Sequence, residues 1–272
     1  MVEHSSVRMD LMSSKQVAQY MKTNDMVVLP VGCFEMHGPL VPLACDAFEA
    51  WAAAILVAEK WGCLAAPPVY YTFPGASGPW PGTVDVSPRI TEEYVKEIAL
   101  ALLKNGFGRV VLLGLHGPLN FAFQPLIRDI YQRTGQVVLA FAPQMMPPDL
   151  AEEELGYRGG EDILVLGSMK VLGLHGAYDP ASPIDVDTRP AVNARGALAK
   201  LGASVPWTFS ADHQHTGIRK GLRMDDADKV VRMMRRAVDR MGDLPALFAE
   251  HQRQMKELFA NPPWKSDDVW SI

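Results

Sequence analysis

The sequence lacks several features that would assign it to large classes of protein. Its longest apolar runs fall short of the roughly 18 residues that a membrane-spanning helix needs. It has three cysteines, an odd number without the paired spacing of a disulfide framework or a cysteine-based metal site. The formal net charge is -5, and basic and aromatic residues do not interleave as they do on nucleic-acid-binding surfaces. We therefore expect neither membrane nor nucleic-acid partners. Because the N-terminus also lacks the apolar core of a signal peptide, we predict a cytoplasmic location.

Core-forming residues, in contrast, are plentiful. The 272 residues are 48% hydrophobic, enough for one large domain that buries about three quarters of the surface its unfolded chain exposes. Short apolar runs alternate with amphipathic runs of helical period. Predicted strands cover 27–31, 64–71, 109–115 and 137–142, and predicted helices cover 14–21, 46–62, 87–105 and 120–134. This alternation predicts an α/β fold with a mostly parallel sheet.

The second half of the chain is less regular. An acidic turn or helix is expected at 148–155, a buried helix or strand at 163–172, and irregular structure at 180–222. Helices are predicted at 224–241 and 246–259. We therefore predict a main domain at 1–242, followed by a helix and arm at 243–272. The late tryptophans Trp264 and Trp270 and the apolar residues of this arm would pack against a neighbouring subunit or, alternatively, against their own subunit.

Metal-ligand chemistry is concentrated directly after the first strand. Glu35 and His37 follow Gly32 at a spacing of two, which turns both side chains of an extended segment to the same side. Asp46 arrives after a proline-rich loop, where we expect it to cap the following helix and to present its second oxygen to an ion. Carboxylate, imidazole and carboxylate form a site for a divalent ion. The alternative interpretation is that all three are solvated loop or capping residues.

A second histidine follows another buried strand. His116 comes at the end of the strand at 109–115, and parallel strands have their carboxyl ends at the same edge of a sheet. Since that edge is where open α/β sheets bind ligands, His116 is expected near Glu35 and His37. It could instead be a hydrogen-bonded turn residue. The Gly/Pro-rich loop at 73–83 is expected to form a rim of the site, with a plain surface loop as the alternative.

In combination, these motifs resemble the creatininase family. The pieces that fall in the family's order are Leu29-Pro30-Val31-Gly32 with Glu35 and His37, Gly38-Pro39 with Pro42-Leu43 and Asp46, Pro81-Gly82-Thr83, His116-Gly117, and Asp226-Ala227-Asp228-Lys229. The resemblance implies a three-layer α/β/α sandwich that assembles as a homo-oligomer, in the family commonly a hexamer. It also implies that Glu35, His37, Asp46 and His116 bind one or two divalent ions, with Asp46 as the bridge. Zinc is the first expectation, and manganese or iron are the alternatives.

Two departures from the family pattern concern the catalytic residues. Gly117-Pro118-Leu119 stands where family members have Gly-Gly-Asn or Tyr-Glu-Asn, so this loop supplies no carboxylate. The later motif His-Ala-Gly-x-x-Glu-Thr-Ser can be aligned either at His175 or at Arg158-Gly159-Gly160-Glu161. The second register keeps a long apolar helix after the motif, whereas prolines after His175 forbid one. We therefore name Glu161 and His175 as candidate proton carriers and predict that Glu161 lies nearer the metal.

The function implied by the resemblance is metal-assisted hydrolysis of a small polar substrate. A cyclic amide or related C–N bond is the first expectation, and a cyclic polyol ketone of the inosose type is the alternative. A protein of another class, a binding or assembly protein that has lost the chemistry, would explain the degraded later motif. A nucleotide-binding Rossmann domain is disfavoured, because the strand at 109–115 is not followed by the Gly-x-Gly-x-x-Gly pattern.

Overall fold

The computed structural model describes residues 6–37, 41–141, 148–156, 161–177, 194–203 and 224–262. Four parallel strands within these ranges form one sheet in the order β2-β1-β3-β4. The strands are β1 (Met26–Val31), β2 (Leu64–Ala65), β3 (Arg109–Gly114) and β4 (Leu139–Phe141). The helices are α1 (Ser14–Tyr20), α2 (Cys45–Trp61), α3 (Pro88–Lys104), α4 (Leu119–Thr134), α5 (Pro148–Leu155), α6 (Glu161–Val171), α7 (Ala194–Lys200), α8 (Ala227–Arg240) and α9 (Leu244–Ala260).

Helices cover both faces of this sheet. Successive side chains of a strand point to opposite faces, and in the central strand β1 both sets are apolar. Val27 and Leu29 pack toward α3 and α4, whereas Met26 and Val28 pack toward α2, α6 and α8. A sheet buried on both faces needs strands that are apolar throughout, as β1 and β3 are. The predicted three-layer α/β/α sandwich is confirmed.

The two central strands end at the same level of the sheet. β1 and β3 pair in parallel, with Val31 opposite Gly114 at their carboxyl ends. The segment after β1 and the segment after β3 therefore leave the sheet side by side. This edge receives the residues that follow each strand, among them Glu35 and His116.

Gly32 sets how closely the end of β1 approaches α2. A Cβ atom added at Gly32 would lie 2.3 Å from Ala47 Cα and 2.7 Å from the carbonyl carbon of Asp46. No side chain fits into this space, so only glycine allows the backbone after β1 to touch the first turn of α2. The contact brings residues 33–37 next to the amino end of α2.

Several sequence predictions are corrected in detail. The N-cap of α2 is Ala44 without a side-chain cap, so Asp46 lies inside the first turn and does not cap the helix. The edge position of β2 is confirmed, but the strand ends at Ala65, because Pro67 and Pro68 cannot donate to a sheet.

The bounds of three other elements also differ from the prediction. Helix α1 is capped by Ser13 rather than by Ser14. β4 covers 139–141 and thus begins two residues later than predicted, while residue 142 lies outside the described residues. Residues 194–200 form α7 in a segment expected to be irregular.

The carboxyl-terminal helices follow their predicted positions. Residues 224–226 form a short 3-10 helix ahead of α8, and α9 begins two residues earlier than predicted. Phe248 of α9 is buried in the core cluster that also holds α2 and α8, whereas Leu247 and Phe259 are exposed. Trp264 and Trp270 lie outside the described residues. In the part of the chain that the structure describes, no helix has both the length and the apolar character to cross a bilayer.

The contact at Gly32 can be tested by substitution. Gly32→Ala places a methyl group against the α2 backbone, and we expect it to lower the free energy of unfolding by roughly 1–3 kcal/mol or more, as overpacked sites do. Gly196→Ala is the control, because no described atom lies within 4 Å of its added Cβ and the site is helical. Urea denaturation measures both variants. Equal stability of Gly32→Ala and the wild type would contradict the assigned contact.

Candidate metal centre

The four predicted ligands converge at the carboxyl edge of the sheet. Glu35 and His37 lie in the segment after β1, Asp46 lies in the first turn of α2, and His116 lies two residues beyond β3. Their exposed fractions are 6%, 3%, 1% and 4%, respectively. They are therefore not the solvated loop residues of the alternative interpretation.

Asp46 is the centre of the cluster. Its Oδ1 lies 3.1 Å from His37 Nε2, and its Oδ2 lies 2.9 Å from His116 Nδ1. The same His116 nitrogen lies 3.1 Å from Glu35 Oε1. Each carboxylate oxygen of Asp46 thus faces a different imidazole, which is the geometry of a bridging carboxylate.

Backbone carbonyls orient both imidazoles. His37 Nδ1 lies 3.1 Å from the carbonyl oxygen of Glu35, and His116 Nε2 lies 2.6 Å from that of Phe73. A carbonyl oxygen only accepts hydrogen bonds, so these two nitrogens carry protons and donate. The opposite nitrogen of each ring then points at the carboxylates. Metal-binding histidines are held in this way, with the outer N–H on a carbonyl and the inner nitrogen toward the ion.

Burial and mutual charge shift the pKa values of the cluster. Burial raises the pKa of Glu35 to about 7, against the opposing effect of His116. Burial acts to raise the pKa of Asp46 as well, but the two imidazoles outweigh it and hold this pKa well below its usual range. For His116 burial acts to lower the pKa, and the neighbouring Asp46 and Glu35 raise it to about 10. Two buried carboxylates therefore keep cationic charge close to them, which is the electrostatic condition of a cation site.

The residues present fit a divalent ion. Asp46 Oδ2 is buried and, within the described residues, has no hydrogen-bond partner in bonding geometry, although His116 Nδ1 lies 2.9 Å away. A bound ion would satisfy this oxygen. Ligand atoms of Cys33, Glu35, Asp46 and His116 all lie within 4.8 Å of one another. Nitrogen, oxygen and sulfur donors in one group suit zinc and similar divalent ions.

The loop predicted as a rim supports the cluster from behind. Ser77 Oγ donates a short hydrogen bond to Glu35 Oε2, and Phe73 supplies the carbonyl that holds His116. Thr72 Oγ1 donates to the carbonyl oxygen of Gly32 at 2.6 Å, which fixes the loop to the segment after β1. The loop is thus a part of the site that sets the orientation of two ligand side chains.

The two candidate proton carriers lie at opposite ends of one helix. Glu161 is the first residue of α6, and His175 is exposed in a short 3-10 helix beyond its last residue. The 11 residues of α6 span about 16 Å, which separates the start of the helix from the segment that holds His175. The side chain of Glu161 lies outside the described residues, and its role stays a prediction.

Sequence reasoning missed Cys33 and Ser77. Cys33 precedes Glu35 by two residues, so the same alternation that joined Glu35 to His37 could have included it. Cysteine spacing does not point to it, because the three cysteines lack the paired spacing of a cysteine-based metal site. For Ser77 the sequence carries no signal, since its contact with Glu35 depends on how a loop 42 residues away folds back.

Comparison with known families places the cluster in context. The creatininase family model, described as creatinine amidohydrolase, matches residues 10–163, which is more than half of the chain and includes Glu35, His37, Asp46 and His116. The chain belongs to the creatininase family. The resemblance seen in its motifs is thereby confirmed.

Two named proteins are similar to parts of this creatininase-family chain. The 3-dehydro-scyllo-inosose hydrolase of Thermotoga maritima is 33% identical over 114 residues, which is 42% of this chain and 37% of the relative. The mycofactocin precursor peptide peptidase of Mycolicibacterium smegmatis is 37% identical over 98 residues, 34% of this chain and 39% of the relative. The matched segments thus span less than half of either relative.

Solved structures show the same fold over nearly the whole chain. A Bacteroides fragilis NCTC 9343 protein assigned as a creatinine amidohydrolase has a TM-score of 0.65 at 20% identity. The superposition covers 96% of this chain and 99% of the Bacteroides chain. A creatininase in a Mn form has a TM-score of 0.60 at 18% identity, covering 87% and 97%. The low identity marks this chain as a divergent member of the family.

Ser77 gives a test of the supporting loop. Ser77→Ala removes the hydrogen bond to Glu35 Oε2, and we expect it to weaken zinc binding by about tenfold, the lower end of the effect of lost outer hydrogen bonds. Ser168→Ala is a matched control, since Ser168 is also buried but donates to the carbonyl oxygen of Leu164 within α6. Competition with a chelating dye measures both affinities. Unchanged affinity in Ser77→Ala would show that the loop does not position Glu35.

Proposed function

We propose that this chain is a metal-dependent hydrolase that acts on a small polar substrate. The observation that carries the proposal is the convergence of four buried ligand-type side chains at one sheet edge, with both imidazoles turned inward by backbone carbonyls. Burying two carboxylates and two imidazoles is costly unless they are paired or bind an ion. Mutual pairing offsets part of this cost and a bound ion would offset more, which favours metal chemistry over the alternative of a degenerate binding protein.

Glu35, Asp46, His116 and His37 would hold the ion or ions. Zinc is our first expectation and manganese or iron are the alternatives; similar creatininase structures include a Mn form and a Zn-Zn form. A divalent ion bound there would polarise a carbonyl group and lower the pKa of a water molecule. The protein's own part is to hold the ligands in place before the substrate arrives. The outer hydrogen bonds of His37 and His116 do this, together with the amino end of α2, whose dipole favours a carboxylate at Asp46.

The candidate ligands are unevenly distributed around Asp46, so one ion position has more protein ligands than the other. Glu35, Asp46 Oδ2 and His116 Nδ1 lie together, whereas on the other side of Asp46 the described residues place only His37. Gly117-Pro118-Leu119 supplies no carboxylate to this second side. We propose that the Glu35 side binds its ion more tightly, and that a second ion, where present, is bridged by Asp46.

Glu161 is our proposed proton carrier. Leu164, one turn further along α6, lines a small cavity together with Leu115, the residue before His116. The ion pairs do not favour this choice: Lys170 near the carboxyl end of α6 pairs with Asp228 at the amino end of α8, whereas Lys60 and Asp239 pair at the carboxyl ends of α2 and α8. The amino end of α6 thus lies away from the amino end of α2, and the position of Glu161 nearer the metal stays a prediction. A carboxylate near the ion could accept a proton from the attacking water and return it to the leaving group.

Two substrate classes follow from the comparisons. A cyclic amide or related C–N bond is the first candidate, because the family model is described as creatinine amidohydrolase. The similarity to a 3-dehydro-scyllo-inosose hydrolase supports a cyclic polyol ketone as the second candidate. Assembly as a homo-oligomer, possible hexamer formation, the division at residue 242 and a cytoplasmic location stay predictions.

Metal content and hydrolysis of a substrate panel test the proposal together. Glu35→Ala, His37→Ala, Asp46→Ala and His116→Ala should each lower bound metal by at least tenfold and remove activity, while circular dichroism stays close to that of the wild type. Glu59→Ala is the control, because Glu59 lies on the same helix as Asp46 but pairs with Arg235 on the surface. The panel contains creatinine, other cyclic amides, formamides, short peptides and cyclic polyol ketones. Full metal occupancy in three of the four variants would refute the site.

A further inference from the structure

The cluster contains a sulfur atom that the proposed ligand set does not use. Cys33 is fully buried, and its Sγ belongs to the group of ligand atoms from Glu35, Asp46 and His116 that lie within 4.8 Å of one another. His37 does not belong to this group, because it approaches Asp46 from the other side. The sulfur therefore groups with Glu35, Asp46 and His116, the three residues of the more complete ion position.

The backbone contact at Gly32 explains why Cys33 is there. Since the backbone of Gly32 touches Ala47, the residue after Gly32 must emerge beside the first turn of α2, where Asp46 lies. The Cys33 thiol makes a long hydrogen bond. It donates to the carbonyl oxygen of Thr72 at an Sγ to oxygen distance of 3.7 Å. A buried thiol held this loosely can turn toward an ion without breaking a strong interaction.

A second observation at the same place points to a ligand. Asp46 is only 1% exposed, and among the described residues its Oδ2 has no hydrogen-bond partner in bonding geometry. Ligand atoms around a tetrahedral zinc ion are separated by about 3.3–3.8 Å, given bond lengths of about 2.0–2.3 Å. The present spacing of at most 4.8 Å lies above this range, so the four side chains would close on the ion when it binds.

We propose that Cys33 is a sulfur ligand of the metal ion, completing a Cys33, Glu35, Asp46, His116 site. The inference rests on the proposed metal-dependent function. On binding, the Cys33 thiol loses its proton to the buffer and the sulfur donates an electron pair to the ion. Because thiolate sulfur favours zinc over manganese, Cys33 would set the metal preference of this chain toward zinc and cobalt.

Cobalt substitution tests the proposal with the intact protein. The metal-free protein is titrated with Co²⁺. A bond from Co²⁺ to sulfur gives a charge-transfer band in the near ultraviolet, whereas the visible bands of Co²⁺ appear with ligands of any kind. We expect the charge-transfer band in the wild type and its loss in Cys33→Ser. Cys45→Ser and Cys63→Ser are matched controls, since both cysteines are buried, form no disulfide and lie outside the group of ligand atoms. Both should retain the band.

Metal preference provides a second measurement. Cys33→Ser should lower the ratio of zinc to manganese affinity by about tenfold or more, in line with the effect of losing a site-defining group. If Cys33→Ser does not fold, X-ray absorption at the zinc edge of the wild type decides the question without a variant. A sulfur shell at about 2.3 Å supports the proposal, and shells of oxygen and nitrogen alone overturn it.

The outcomes separate this inference from the proposed function. Visible cobalt bands without a charge-transfer band would show that the metal site exists and that Cys33 is only a buried thiol. A charge-transfer band that survives in Cys33→Ser would likewise overturn the assignment. Failure of the wild type to bind cobalt or zinc at all would overturn the metal site itself, and with it the proposed hydrolase.

Discussion

The contact between the Gly32 backbone and the first turn of α2 is the constraint on which the candidate site depends. A strand that ended in any residue with a side chain would hold α2 further away, because the added Cβ would overlap Ala47. At the closer distance, Asp46 reaches His37 with one oxygen and His116 with the other. One missing side chain therefore brings together residues from three separate segments of the chain.

The site also depends on the parallel pairing of β1 with β3. Because Val31 and Gly114 are opposite each other, the residues that follow them can meet without long side chains. Two backbone carbonyl groups then fix the orientation of the imidazoles, because they accept hydrogen bonds from the outer nitrogens of His37 and His116. The result is a buried cluster of charges whose cost is offset by mutual pairing and, we propose, by an ion.

Sequence patterns predicted the elements that make up this edge and the four side chains on it. Strand and helix periods located β1, β3, α2, α3 and α4, and the Glu35-x-His37 spacing indicated the chemistry. What the patterns could not give were contacts across long loops, such as Ser77 on Glu35, because these depend on how the loop folds back. The role of Asp46 as a helix cap was wrong for a local reason, since α2 begins one residue earlier, at Cys45. Glu161 remains a prediction, because its side chain lies outside the described residues.

The central claim is that Glu35, Asp46 and His116 bind one divalent ion at the carboxyl edge of the sheet. Anomalous diffraction at the zinc edge from crystals grown with zinc tests it most directly, because the peak locates the ion without reference to activity. The account predicts a peak between Glu35, Asp46 Oδ2 and His116 Nδ1 in every copy of the chain, at about 2.0–2.2 Å from each. The absence of a peak there, with Glu35, Asp46 and His116 bonded only to one another, would contradict the claim.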